Sequence, residues 1–143
     1  MSLTRRDFTW LLPLLATPGA RAQQGQASPL PSKVYHAARI PYEGDDKKKG
    51  RQFFHGPNRS GFNLEMHETI LGPGTQTHDP HKHEHEEIVI VFEGLVETYL
   101  EGKTELAEAG SVVYFASNQM HSARNAGAAP SRYYVIELRG SEA

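Results

Sequence analysis

Three histidines at alternate positions and three carboxylates crowd into seven residues, His81-Lys82-His83-Glu84-His85-Glu86-Glu87. Neutral imidazole and carboxylate are the donor set of borderline divalent metals. A merely solvated charge run needs no such alternation of histidines, and it would not lead straight into a β-branched run, Ile88-Val89-Ile90-Val91-Phe92. A further histidine, His121, sits in Gly110-Ser111-Val112-Val113-Tyr114-Phe115-Ala116-Ser117-Asn118-Gln119-Met120-His121-Ser122-Ala123-Arg124-Asn125. The two segments together indicate a metal site inside a small β-barrel.

The elements that must carry these residues read as short strands. Phe62 to Leu71 alternates apolar and polar residues for a full strand, and Gly72-Pro73-Gly74 ends it. Ile88–Phe92, Leu95–Leu100, Lys103–Ala107, Ser111–Phe115, His121–Asn125 and Arg132–Leu138 follow, with Glu101-Gly102 as a tight hairpin turn. Upstream, Lys33–His36 reads as a first short strand, Glu43–Gly50 as a solvated loop and Arg51–His55 as a strand start. Strands every eight to twelve residues, Gly or Pro turns and no 3.6-residue periodicity predict an antiparallel sandwich or barrel. No internal repeat is present.

Other chemistries find little support. The 143 residues contain no cysteine, so neither a thiol nucleophile nor a disulfide is available. Ser111, Ser117 and Ser122 lack a base and an orienting group, and no phosphate-cradling glycine loop is present. The amino terminus reads as an export signal. Arg5-Arg6 precedes a short apolar core, Thr9 to Ala16, then Pro18-Gly19 and a small-residue cleavage site, Ala20-Arg21-Ala22. That core is too short to span a bilayer, which takes about 20 apolar residues. Removing residues 1–22 leaves 12 Lys and Arg against 16 Asp and Glu, a net charge of −4. Such a balance is no footprint for nucleic acid or an anionic membrane. The expected organisation is a signal peptide over residues 1–22, a lead and loop over 23–50, and a barrel over 51–143.

The chain resembles the small single-domain cupins, which are double-stranded β-helix, or jelly-roll, barrels. The first cupin motif is matched by Gly74, His81-x-His83, three residues, Glu87, six residues and Gly94, with one extra residue between Gly74 and His81. The second is matched by Gly110, His121 and Asn125 in register, with Ala116 at the usual Pro position and Asn118 at a usual Gly position. Asn tolerates the left-handed backbone that a glycine supplies there. The resemblance covers roughly residues 62–138, with the motifs inside 72–125. It implies His81, His83, Glu87 and His121 as ligands of one divalent ion, manganese, iron, nickel or zinc. It also implies open coordination positions for a small-molecule substrate, with three functional classes. They are a dioxygenase-like oxidoreductase, a metal-dependent isomerase, lyase or decarboxylase, and a non-catalytic ligand-binding protein.

The remaining candidates are assigned around this set. His85 is expected beside the ligands or on the rim, His78 on the rim, and His67 facing solvent with Glu65 and Thr69, which share its strand parity. Glu84 and Glu86 read as solvated. Tyr114 or Tyr134 is expected to line the cavity, and Arg59 and Arg124 to lie on the surface. Small or polar Ala116, Ser117, Asn118 and Gln119 are expected to leave room for substrate at the barrel mouth. An open jelly-roll edge makes a homodimer the expected assembly. The signal implies a periplasmic or secreted location. Export of an already folded chain would also enclose manganese or iron before zinc and copper compete. Replacing Arg5 and Arg6 together by Lys should stop export by the twin-arginine route, and the mature wild-type chain should begin at Gln23. Amino-terminal sequencing of the exported protein reads both, and normal export of the double variant would refute the assignment.

Overall fold

A computed structural model of the protein describes residues 27–140; the signal assignment at 1–22 lies outside the described residues. A 3-10 turn, Ala37–Arg39, precedes nine strands. They are β1 (Glu43–Gly44), β2 (Lys48–Pro57), β3 (Asn63–Leu71), β4 (Glu86–Glu93), β5 (Leu95–Leu100), β6 (Lys103–Glu108), β7 (Val112–Phe115), β8 (His121–Asn125) and β9 (Ser131–Arg139). One sheet has the order β1-β2-β3-β9-β4-β7 and the other β6-β5-β8, and every pairing is antiparallel. The fold is an all-β antiparallel jelly roll, as expected.

Register explains what the interior contains. Residues paired across neighbouring strands share a face, and three rows cross β3, β9 and β4. These are Thr69–Tyr133–Val91, His67–Val135–Val89 and Glu65–Glu137–Glu87. Toward one end the barrel closes on Leu71, Val89, Val91, Phe115, Tyr133 and Val135 from the large sheet, and on Val96, Ala107 and Ala123 from the small one. Each large aliphatic or aromatic side chain buried there contributes about 1.5–3 kcal/mol. Toward the other end the rows turn to histidine and glutamate, and the interior is a cavity.

Two backbone features bear out the sequence. Glu101 and Gly102 have φ of 46° and 86°, the pair of positive values that a type I′ hairpin needs. Gly94 follows β4 where the chain presses on the start of β9, and a Cβ there would lie 2.8 Å from Ser131 Cα and 2.9 Å from the Pro130 oxygen. Asn125 is fully buried and fully used. Its amide donates to the carbonyls of Leu71 (2.9 Å) and Ala129 (2.8 Å), and its oxygen accepts from Gly127 N–H (2.8 Å).

The amino-terminal part differs from expectation. Lys33–His36 forms no strand, because Tyr35 packs its ring on Phe54 at 5.1 Å and the segment lies between Pro31 and Pro41 without a ladder partner. The lead at Leu30 is docked, its N–H donating to the Pro57 carbonyl (2.8 Å). Glu43–Gly50 is not a loop throughout. Asp45 Oδ1 accepts from the N–H of Lys47 and Lys48, a local turn that pairs β1 with the first residues of β2.

One buried ion cluster fastens this region. The Glu68 side chain is fully buried and accepts from Arg51 Nε, Tyr42 hydroxyl and Arg132 Nη2. Burial alone would raise its pKa, but the bonds from Arg132, Tyr42 and Arg51 outweigh it and hold the group below its ordinary value. A carboxylate depressed in this way stabilises the fold above its unfolded pKa, and the contribution is lost as pH falls through its folded one. Glu68→Gln leaves Arg51 without its carboxylate and Arg132 with only the more distant Glu93 (3.6 Å), and should cost about 3–5 kcal/mol at neutral pH. Urea denaturation at neutral pH and again below the glutamate range should show the gap between wild type and variant closing in acid.

Candidate metal centre

Backbone pairing brings the two histidine segments together. His81 and His121 form an isolated antiparallel bridge with reciprocal bonds, His81 N–H to the His121 carbonyl at 3.1 Å and the reverse at 2.8 Å. Upstream the same edge continues through Thr77 N–H to the Ala123 carbonyl and Asn125 N–H to the Thr75 carbonyl. The run 75–81 is therefore sheet-bound along β8. Asn118, at φ 61°, donates its N–H to the His83 carbonyl at 2.7 Å. The left-handed residue expected there from the motif thus anchors the middle histidine.

His81, His83 and His121 each offer a nitrogen within 4.8 Å of the others, close enough for one ion to draw on all three. Glu87 Oε2 lies 3.4 Å from His83 Nε2 and 3.6 Å from His121 Nε2. Two of the rings are oriented by backbone. His83 Nδ1–H donates to the His85 carbonyl (2.9 Å), and His121 Nδ1–H donates to the Gln119 carbonyl (2.8 Å). In the neutral tautomer each bond places the proton on Nδ1 and turns the Nε2 lone pair toward the cluster, the arrangement a metal requires. Phe115 stacks on the His121 ring at 4.4 Å and backs it with apolar surface.

The donor set fits a cation by its unmet needs. His121 is 1% exposed, and its Nε2 has no hydrogen-bond partner; buried His81 Nδ1 has none either. An unsatisfied buried polar atom costs about 1–3 kcal/mol, and a bound cation is what a converging set of lone pairs can satisfy. Burial, then the neighbouring His78, His121 and His83, push the His81 pKa down and keep its imidazole neutral.

The other histidines divide as their bonds dictate. His85 stacks flat on His83, with centroids 3.4 Å apart. Its Nε2 lies 3.0 Å from Glu137 Oε2, and its Nδ1 accepts from Arg139 at 3.2 Å. Both nitrogens are occupied, so His85 flanks the cluster instead of completing it. Burial, then repulsion from His83 and Arg139, lowers its pKa to about 4. His78 is exposed and sets its ring edge-on to His81 at 3.9 Å, a rim position as expected.

The cavity measures about 640 Å³ and holds all four motif side chains. Its other walls correct several expectations. His67 does not face solvent; it lines the cavity with Glu65 and Thr69. Their shared parity was legible, but the polar face of β3 turns inward because a cavity, not apolar core, lies against it. Tyr133 lines the cavity, not Tyr114 or Tyr134. Tyr114 is 51% exposed, and Tyr134 packs on Phe53 and Phe92. Ile40, Pro41, Lys48 and Gln52 also line the cavity, and residues 116–119 do not. Glu84 is exposed, Glu86 raises the pKa of the exposed Tyr114, and Arg124 pairs with Glu97 on the surface. Glu137 carries no motif signal, although strand parity with Tyr133 and Val135 places it inward.

Comparison with known proteins agrees with this fold. Residues 67–137 match the cupin domain family. The fold is similar to the structure of KdgF from Halomonas sp., with a TM-score of 0.67, 18% identity, and 78% of this chain and 97% of that one covered. It is similar to the polyketide cyclase RemF from Streptomyces resistomycificus, with a TM-score of 0.61, 20% identity and coverage of 78% and 86%. It is also similar to a predicted oxalate decarboxylase from Thermotoga maritima, with a TM-score of 0.61, 20% identity and coverage of 75% and 99%. None of the curated proteins matches the sequence. Residues 67–137 are thus a cupin domain, set in an antiparallel jelly-roll barrel whose interior carries a histidine cluster able to hold a metal ion.

Proposed function

We propose that this protein is an exported, metal-dependent cupin enzyme. His81, His83, Glu87 and His121 hold one divalent ion, and a small oxygen-rich molecule is oxidised beside it in the manner of a dioxygenase. The observation that carries the reading is the convergence of three imidazoles and one carboxylate on a cavity, with His121 Nε2 buried and unpartnered. When bound, the ion supplies Lewis-acid polarisation of a substrate oxygen and, if iron or manganese, a centre that reacts with dioxygen. The chain's own part is positional. The carbonyls of His85 and Gln119 orient two ligand rings, and Phe115 excludes water behind one of them. Glu87 is the one anionic donor of the set, so it leaves the site with about one net positive charge toward an enolate or phenolate oxygen.

The cavity is the size of a small-molecule site. A second reading, Lewis-acid chemistry without dioxygen, draws support from the names of two structural neighbours, a polyketide cyclase and a predicted oxalate decarboxylase. The homodimer belongs to the same proposal. Edge strand β7 presents exposed Val112 and Tyr114, with Ile88 beside Tyr114 on β4, as the face a second copy would cover.

A metal that binds only the folded chain stabilises it by about 2.7 kcal/mol at one hundred times its dissociation constant. Chelation should therefore lower the melting temperature by roughly 10 °C, and a restored divalent ion should recover it. Identical melting curves would count against an internal site. Glu87→Gln should lose the ion of the histidine centre while Glu84→Gln keeps it, as elemental analysis of the two variants beside the wild type would show. Oxygen-electrode assays of the iron- and manganese-loaded protein with catechols, flavonols, β-diketones and 2-oxo acids separate the reaction classes. Turnover without oxygen uptake would transfer the assignment to the isomerase, lyase or decarboxylase class.

A further inference from the structure

We propose that the same cavity holds a second divalent-cation site, built from Glu65, His67 and Glu137 and distinct from the histidine centre. One donor atom from each of the three lies within 4.8 Å of the others. The stronger argument is charge. Glu65 pairs directly with Glu137 across β3 and β9, and Glu137 pairs directly with Glu87 across β9 and β4. Three carboxylates thus stand in one row on the inner face of three adjacent strands, where like charges directly opposite one another are destabilising. The histidine centre accounts for Glu87 alone.

This chain neutralises a buried glutamate differently when the purpose is structural. Glu68, on the same strand as Glu65, receives two arginines and a tyrosine. Glu65 and Glu137 receive neither arginine nor lysine within ion-pair distance among the described residues. Their partners are imidazoles, His67 Nδ1 at 3.3 Å from Glu65 Oε1 and His85 Nε2 at 3.0 Å from Glu137 Oε2. His85 also accepts from Arg139, so it serves Glu137 as a neutral N–H donor, and only one of the two oxygens is engaged. Two carboxylates and an imidazole with no fixed cation match the charge and donor preference of manganese, iron or zinc. Space is present as well. Glu65, His67 and Glu137 all line the cavity of about 640 Å³ that also holds the histidine cluster. The competing arrangement is a proton shared between Glu65 and Glu137.

Zinc titration by calorimetry, with elemental analysis of the dialysed protein, tests the proposal. Wild type should bind two equivalents. His67→Ala and the near-isosteric Glu65→Gln should each bind one, His121→Ala should also bind one, and His67→Ala with His121→Ala should bind none. Manganese supplies a second readout. Two adjacent ions should broaden the electron paramagnetic resonance spectrum of the wild type relative to that of His67→Ala. Circular dichroism of each variant checks that the barrel is folded, and Glu65→Gln carries the test if His67→Ala does not fold. A single equivalent that survives His67→Ala and Glu65→Gln would overturn the second site in favour of the shared proton. If that equivalent disappears in His121→Ala, the histidine centre stands; if it persists there, both sites fail.

Discussion

The reciprocal backbone pair between His81 and His121 is the constraint on which the rest of the site depends. It joins the two sequence segments that carry histidines and sets their Cα atoms at the separation of paired strands. With the bonds of Thr77 and Thr75 to β8, it makes the histidine-bearing segment part of the small sheet. A ligand set held on sheet is positioned more closely than one held on a free loop. The Asn118 bond to the His83 carbonyl extends the same control to the next histidine of the cluster. The side chains along this edge can therefore be polar and mutually repelling while the backbone beneath them remains ordered.

The interior is divided along its length, and the division has an energetic logic. The closed end buries Leu71, Val89, Val91, Phe115 and their neighbours, whose burial supports the fold. The open end gathers histidines and glutamates that contribute nothing of that kind. On β3 the divide falls between Thr69 and Leu71. Glu68, of opposite parity, anchors the Arg51, Tyr42 and Arg132 cluster. Arg51 also donates to the Ala37 carbonyl and lies over the Tyr42 ring at 4.3 Å. That cluster holds the 37–43 segment in place, and Ile40, Pro41 and Glu43 of this segment wall the cavity. A structural ion cluster thus shapes the binding space, which Arg51 and Glu68 also help to line.

Much of this was legible in the sequence. Alternating residues marked nearly every strand after Phe62, because each has one face against the barrel interior. The two motifs located all four residues that meet at the histidine cluster, since the spacing of Gly74, Gly94, Gly110 and Asn118 encodes the turns that bring them together. Three things were not legible, each for a physical reason. Strand parity shows that Glu65, His67 and Thr69 share a face but not which face is inside, and polar residues argue for solvent unless a cavity is known. Tyr133 and Tyr134 are neighbours of opposite parity, and composition cannot choose between them. The docking of Leu30 and Tyr35 on β2 rests on contacts between segments whose local sequences, rich in Pro and exposed charge, carry no periodic signal.

The direction of the perturbed groups in the cavity gives the last step. His81 and His85 are pushed toward their neutral forms, first by burial and then by neighbouring cations and imidazoles. Glu137 is pushed the same way, first by burial and then by Glu65 and Glu87. Acids and bases here shift oppositely on the pH scale but to one effect, since each sheds charge when no external charge is supplied. Protons and divalent cations compete for the same lone pairs. A cavity of this composition is thus a poor place for isolated charges and a good one for a cation with several donors around it. The histidine row and the carboxylate row meet at Glu87, which faces His83 and His121 through its oxygen and Glu137 through its strand pairing. Whatever charge the histidine centre binds is therefore felt at once by the carboxylates beside it, and the two rows act as one electrostatic unit.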